Sequence, residues 1–334
     1  MSDLYIQDSS LYLSLKEDKI LVRDKERLLV KEISIYKVEN VLIFGLAQLT
    51  TQLLQRLALK KVNVYYFTSY GKFLSVLETY READFEKQSW QTRACLDEDF
   101  CKELSRKLLT TKVRHQIQLL EQYDEDKLLD SADYERLEEQ VRGLEAATSI
   151  AEMMGYEGRA AKSYFYFLSL LVPQEFRFSG RSKRPAKDPF NSLLNLGYSV
   201  LHTFMIGLIR KHGLSQGTGV LHQVHRGHAT LASDLMEEWR PIIVDDTVVH
   251  LLQTEQLGVE HFKGNEEQGM FLTPEGREIF LSALRCRILE IHQYVELDKK
   301  RYSFPYTVDL QLQALLRAFE ERDASLYTSS YAGE

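Results

Sequence analysis

Val62-Asn-Val-Tyr-Tyr-Phe67, followed by Ser69-Tyr-Gly71, a charged stretch from Arg81 to Lys87 and then Trp90, is where the chain changes character. Before it, short runs rich in Val, Ile, Leu and Tyr recur between polar turns, among them Leu11-Tyr-Leu-Ser-Leu15, Lys19-Ile-Leu-Val22 and Val41-Leu-Ile-Phe44. That pattern predicts strands. One amphipathic helix is expected among them, from Leu49 to Lys60. After Trp90 the chain turns to long helical runs dense in Leu, Glu, Arg and Lys, as far as about Arg322. The expected class is therefore α+β: a small N-terminal β domain over residues 1–80, a linker over 81–90, and a larger all-α C-terminal domain over 91–334. Leu104–Tyr123 and Tyr134–Met154 are read as helices, either exposed or part of the core.

At 334 residues and 44% hydrophobic content, the chain is long and apolar enough for a substantial core. Its net charge of -7 means that any nucleic-acid surface must be a local basic patch. The three cysteines, Cys95, Cys101 and Cys286, lack paired metal-binding spacing and suggest reduced thiols in a cytoplasmic setting. The N-terminus has no basic region followed by an apolar one, and no run reads as a membrane span, so neither export nor membrane insertion is expected.

The chemistry concentrates in Leu221-His222-Gln-Val-His225-Arg-Gly227-His228-Ala-Thr230-Leu231-Ala-Ser-Asp234-Leu235-Met236-Glu237-Glu238-Trp239-Arg240-Pro241. A polar loop there leads into an amphipathic helix for which Thr230 is a candidate cap and Pro241 a candidate stop. On a regular helix, Asp234, Glu237 and Glu238 share one side, while Leu231, Leu235, Met236 and Trp239 take the other. Like charges at these spacings repel, and a divalent cation would reverse that. An imidazole with carboxylates suits manganese or magnesium better than structural zinc. The alternative is an acidic helix face in solvent. His222 leads as the imidazole ligand because Val220-Leu221 should anchor it; His225 and His228 are competitors.

Two further stretches bear on the same chemistry. In Gly155-Tyr-Glu157-Gly-Arg159-Ala-Ala-Lys162-Ser-Tyr-Phe, small residues leave room around Glu157, a candidate metal ligand, while Arg159 and Lys162 are candidate phosphate contacts. A surface ion pair is the other reading of Glu157. Arg177, Arg181, Lys183, Arg184 and Lys187 then crowd a Gly- and Pro-containing loop with no acid among them, which suits a phosphate backbone, or else a merely soluble loop. Asp188-Pro-Phe-Asn191 opens the helical run Leu193–Leu208, with Asn191 or Ser192 as the expected cap. No Walker A loop is written.

Taken together, Glu157-Gly-Arg-Ala-Ala-Lys-Ser-Tyr-Phe, Asp188-Pro-Phe-Asn191, Leu-Gly-Tyr198, Leu221-His222 and Asp234-Leu-Met-Glu-Glu-Trp-Arg-Pro241 resemble, in order and spacing, the CRISPR-associated adaptation endonuclease, the integrase that inserts spacers. Gly45-Leu-Ala-Gln-Leu-Thr50, Ser69-Tyr-Gly71-Lys-Phe and Leu272-Thr-Pro-Glu-Gly276-Arg277 extend the likeness to roughly residues 4–320. The resemblance implies an N-terminal β domain, a homodimer, and a small adaptation partner protein that joins two such dimers. It implies Mg²⁺ or Mn²⁺ held by Glu157, His222 and Glu237, with Asp234 orienting the site or binding metal, and Tyr198 near double-stranded or branched DNA. The implied reaction is attack by a DNA 3′-hydroxyl on a repeat phosphodiester, with hydrolytic cutting of branched DNA in related members. The chain departs from the family at Ser215-Gln-Gly-Thr-Gly-Val220, where an Asp-Pro is common, and at Asp246, where a basic residue is frequent. Competing readings are a non-catalytic DNA-binding scaffold and a small-molecule phosphohydrolase, the latter opposed by the basic loop.

Overall fold

In the strands nearest the N-terminus, apolar side chains repeatedly fall on the inward face and so demand a partner layer. The structure is a computed structural model describing residues 2–69, 73–77, 84–222, 228–294 and 300–330. It divides into two units, Met1–Glu82 and Ala83–Glu334. The first holds β1 (Ser2–Ile6), β2 (Tyr12–Lys16), β3 (Lys19–Arg23), β4 (Leu29–Ser34), β5 (Val38–Phe44), β6 (Gln48–Leu49), α1 (Thr51–Leu59), β7 (Asn63–Phe67) and β8 (Phe73–Leu77). They form two four-stranded sheets, ordered β1-β5-β7-β8 and β4-β3-β2-β6. Strand β5 runs parallel to both β1 and β7. Leu13, Ile20, Val22, Val41, Ile43 and Val64 point into the core and meet Leu53 and Leu57 of α1. The hydroxyl of Thr50 caps α1 by accepting from Leu53 N at 3.3 Å. The turn expected at Ser69-Tyr-Gly71 lies largely outside the described residues.

The second unit comprises α2 (Phe85–Cys95), α3 (Glu98–Tyr123), α4 (Ser131–Ala146), α5 (Ile150–Leu170), α6 (Pro189–Lys211), α7 (Thr230–Leu235), α8 (Asp246–Gln253), β9 (Phe262–Asn265), β10 (Gly269–Leu272), α9 (Pro274–Leu289), β11 (Ile291–His292), β12 (Tyr302–Ser303) and α10 (Phe304–Glu321). Several starts obey local capping chemistry: Asp84, Asp97, Asp130, Ser149, Asp188 and Thr273 each accept from a backbone N–H of the first turn. Helix α2 begins at Phe85, inside the stretch read as linker. The run Tyr134–Met154, read as one helix, breaks between Ala146 and Ile150, where Ser149 caps α5. Helix α6 is capped by Asp188 with Pro189 in its first turn, rather than by Asn191 or Ser192, because the aspartate carboxylate reaches Asn191 N at 2.7 Å. Against the expectation that no run would qualify as a span, α6 is long and apolar enough to cross a membrane by composition alone. Its apolar face, including Phe190, Leu193, Leu194, Leu201 and Ile209, is buried in the unit instead.

The largest departure from expectation lies after Thr230. Helix α7 lasts only to Leu235, a 3₁₀ turn covers Met236–Trp239, a π turn covers Arg240–Asp245, and α8 resumes at Asp246. Pro241 does not stop the chain; it sits in the first turn of the π segment. Thr230 is no cap either: the cap position belongs to Ala229, and the buried Thr230 hydroxyl has no hydrogen-bond partner. Changing the number of residues per turn rotates each side chain away from its regular-helix azimuth. Packing holds this shape. Trp239 is fully buried, edge-on to Phe304 and Tyr294, with its indole N–H donating to Gln311 Oε1 at 3.1 Å. Gly197 of α6 lies so close to Val244 that a Cβ there would collide with it.

Candidate metal centre

Asp234, Glu237 and Glu238 are all buried, so the solvated acidic face is excluded. Nor do they share one side, because the 3₁₀ turn sends each to a different place. Asp234 faces the preceding loop, Glu237 faces α3, and Glu238 faces the C-terminal segment, where it accepts from Tyr327 and from Ser330 N at 2.7 Å. Burial pushes the Glu238 carboxyl up in pKa, and its hydrogen bonds only partly offset this. Glu238 therefore serves the fold.

Asp234 organises the loop that carries His222. Its carboxylate accepts from Val220 N at 2.7 Å, Leu221 N at 3.0 Å and His222 N at 3.1 Å. It also lies 2.7 Å from His222 Nδ1. A neutral imidazole donating from Nδ1 keeps the Nε2 lone pair free, the arrangement in which a carboxylate orients a metal-binding histidine. The same hydrogen bond holds the His222 pKa above its ordinary value, against the effect of burial. Gly219 permits this approach, since a Cβ there would strike Asp234 Oδ2. Gln91 of α2 ties down the stretch before it, donating to Ser215 O at 2.8 Å and Thr218 O at 2.7 Å. Thus the Ser215–Val220 segment, flagged as a departure, builds the Asp234 cradle. His225 lies outside the described residues, and His228 is exposed, with Nε2 3.1 Å from Ser233 Oγ.

Glu157 of α5 and Glu237 are brought together by a residue that the sequence reading missed. The Nζ of Lys112, on α3, lies 2.5 Å from Glu157 Oε1 and 2.6 Å from Glu237 Oε2. Arg240 approaches the other oxygen, Glu237 Oε1, at 3.1 Å. Burial alone would raise the Glu237 pKa, but Arg240 and Lys112, with His222, outweigh it and hold the carboxyl at about 2. Lys112 is likewise held above its ordinary value, because Glu237 and Glu157 outweigh its burial. A signal for Lys112 was present: it stands on the apolar stripe of α3, one turn beyond Leu108 and two beyond Leu104.

The donor set fits a divalent cation. Among the described residues, no three His, Cys, Asp or Glu side chains converge as they stand, and the Lys112 ammonium supplies the positive charge between Glu157 and Glu237. That lysine supplies the charge that a bound cation would bring. Glu237 Oε2 is buried 2.6 Å from that ammonium, so the lysine supplies its positive partner. Two carboxylates facing one buried cation and an oriented imidazole are donor types that suit a hard divalent ion.

The basic residues divide. Lys162, Arg181 and Lys183 line a cavity of about 480 Å³ shared with Lys112, Glu157 and Arg240. Arg181 turns inward, donating to Asn191 and, at 2.9 Å, to Asn195 Oδ1. Burial lowers the pKa of both Arg181 and Lys183. Arg177, Arg184 and Lys187 are exposed on the loop, as is Lys183 at the cavity rim. Arg159 points toward α4, bonding Gln140 Oε1 at 3.0 Å and covering the Tyr156 ring. Tyr198 is a structural donor, 2.6 Å from Asp245 Oδ1, and Tyr164 holds the other oxygen at 2.8 Å. Asp246 does not face the cavity; it is neutralised by Arg287 at 3.0 Å and accepts from Tyr123 at 2.7 Å.

Burial lifts the Asp245 carboxyl to about 6, against the lowering effect of both tyrosines and of Arg181 and Arg240. An acid whose folded pKa exceeds its unfolded value keeps its proton while the unfolded chain ionises, so stability falls as pH rises through that window. Between pH 4 and about 6, Asp245 should therefore remove up to about 3 kcal/mol. The wild-type stability minus that of Asp245→Asn, from urea midpoints, should fall across that window and be flat above it. A difference independent of pH would refute the assignment.

Residues 4–285 match the family described as CRISPR associated protein Cas1. The chain is also 36% identical to a CRISPR-associated endonuclease Cas1 of Mycobacterium tuberculosis, over 96% of this chain and 94% of that one. It belongs to the Cas1 family. Among solved structures, this Cas1 chain superposes on a casposase bound to integration product with a TM-score of 0.83 at 21% identity, over 100% of its own length and 96% of the casposase. It also superposes on a chain of a Cas6-RT-Cas1–Cas2 complex with a TM-score of 0.83 at 24% identity, covering 98% of itself but only 36% of that longer chain. These likenesses establish the Cas1 fold: a β-rich N-terminal unit and a larger helical C-terminal one.

Proposed function

We propose that this Cas1 chain, a CRISPR adaptation nuclease and integrase, works through a divalent cation held by Glu157, His222 and Glu237, joining prespacer 3′-hydroxyl ends to the repeat by transesterification. The observation that carries this is the pairing of Glu157 with Glu237 across a single buried cation, on a chain whose His222 is oriented by Asp234. Bound there, Mg²⁺ or Mn²⁺ supplies Lewis-acid stabilisation of charge developing on the phosphate. The residues do the positioning. Asp234 fixes the imidazole, Arg240 keeps Glu237 ionised, and Lys183 with Lys162 offers the cavity rim to a phosphate backbone. Water or a 3′-hydroxyl attacks according to which one the bound DNA presents, so cleavage of branched DNA and joining share one site. The assembly is a homodimer joined through a small partner of the Cas2 kind, a reading supported by the Cas1–Cas2 complex among its structural relatives.

The test incubates the protein, with and without the small partner, with a labelled 3′-hydroxyl duplex and a supercoiled repeat-bearing plasmid in Mn²⁺ or EDTA. Joined product in Mn²⁺ and none in EDTA is expected. DNA binding without metal, and no joining even with the partner, would instead select a non-catalytic scaffold.

A further inference from the structure

Lys112 is an unusual residue to bury. It is 7% exposed, on the core-facing side of a long helix, and among the described residues it forms ion pairs with the two acids read as metal ligands. Removing an ammonium from water costs several kcal/mol unless it is well paired, roughly the size of a small domain's stability. Here two acids hold it, at 2.5 and 2.6 Å, so its place depends on those acids staying free of a competing metal cation. One turn along the same helix lies an acceptor that lacks a donor. Gln116 is 2% exposed, and its Oε1 is buried without any hydrogen-bond partner. An unmet buried amide oxygen is costly, and an ammonium would satisfy it. Lys112, Gln116 and Glu157 line the same cavity of about 480 Å³, so space lies between donor and acceptor. Residues at i and i+4 stand about 6 Å apart along the axis, within the sweep of a lysine side chain.

We propose that Lys112 is a positioning residue with two stations: it bridges Glu157 and Glu237 when no metal is bound, and swings to Gln116 Oε1 when a divalent ion takes its place. The inference rests on the reading of Glu157 and Glu237 as ligands. The lysine keeps two buried carboxylates from repelling one another in the free protein, while Arg240 remains on Glu237 in both states. Gln116 lowers the cost of releasing the ammonium. Metal affinity is then set by the difference between the two stations, which makes it tunable by residues that never touch the ion.

The experiment measures Mn²⁺ affinity of the full chain by electron paramagnetic resonance of the free ion, for wild type, Lys112→Met, Gln116→Met and the double variant, with Glu157→Gln as a reference. Lys112→Met removes the competitor and should tighten binding by about tenfold or more, since one charge at this range contributes well over 1 kcal/mol. Gln116→Met removes the second station and should weaken binding by about tenfold, the worth of a hydrogen bond to a charged group. In the Lys112→Met background the Gln116 change should have no effect, because the acceptor matters only while the lysine is present. Gln116→Met decides by itself if Lys112→Met does not fold: unchanged affinity overturns the two stations, as does equal weakening in both backgrounds. If wild type binds Mn²⁺ no better than Glu157→Gln, the metal reading fails and the inference falls with it, a result distinct from intact wild-type binding that ignores Gln116.

Discussion

Glu157→Gln should lower metal-dependent joining of a 3′-hydroxyl end to a repeat-bearing plasmid by about 10³-fold or more, while the protein is expected to melt within a few degrees of wild type. The substitution keeps shape and volume and removes one negative charge. Lys112 retains Glu237 at 2.6 Å and Glu237 retains Arg240, so each cation keeps a carboxylate, and the one uncompensated positive charge accounts for the small drop in melting temperature. What disappears is an anionic oxygen needed by a hard cation, which an amide oxygen replaces poorly. A 10³-fold loss corresponds to about 4 kcal/mol of transition-state stabilisation, within reach of a lost ligand in a water-poor site. The check is single-turnover joining in saturating Mn²⁺, with circular dichroism melts of both proteins. Joining at the wild-type rate would remove Glu157 from the chemistry and return it to the role of a partner for Lys112.

Asp234→Ala should damage both stability and activity. Three backbone N–H groups, those of Val220, Leu221 and His222, lose their acceptor at once, together with the His222 imidazole. Each buried donor left unmet costs roughly 1–3 kcal/mol, and partial relaxation of the loop toward water leaves an expected net loss of about 4 kcal/mol. In whatever folded fraction remains, the imidazole has lost the group that fixes its orientation, which typically lowers metal affinity or activity by roughly 10–100-fold. Asp234→Asn separates the two effects. An amide can face one oxygen toward the backbone donors but presents its NH₂ to the rest, so it should recover part of the stability and little of the activity. Urea midpoints and Mn²⁺ titrations of both variants provide the comparison; an Asp234→Ala protein as stable as wild type would show that the cradle is dispensable.

The parts of the fold that were legible in the sequence are those decided by neighbouring residues. The apolar runs at Lys19–Val22, Val41–Phe44 and Val62–Phe67 became β3, β5 and β7 with their inward side chains buried. Helix α1 fell within the predicted Leu49–Lys60. The resemblance to the adaptation integrase was written in short motifs of fixed order, and family membership followed from it. The sequence by itself thus determined the fold class, the family and the candidate residues Glu157, His222 and Glu237.

Where those residues point was decided elsewhere. Asp234, Glu237 and Glu238 share a face only on a regular helix, and the change from α to 3₁₀ to π across residues 230–245 redistributes them. That change is imposed by the burial of Trp239 and the close approach of α6 at Gly197, which are contacts between distant parts of the chain. For the same reason Lys112 entered the site from a helix that local reading left as either exposed or part of the core, Arg181 and Tyr198 were drawn inward, and Asp246 turned to Arg287. A side chain's type is local information, and its charge partner is not. Only the tertiary structure could pair Glu157 with Glu237 across Lys112, because that pairing is set by the packing of α3, α5 and the 3₁₀ turn against one another rather than by any spacing along the chain.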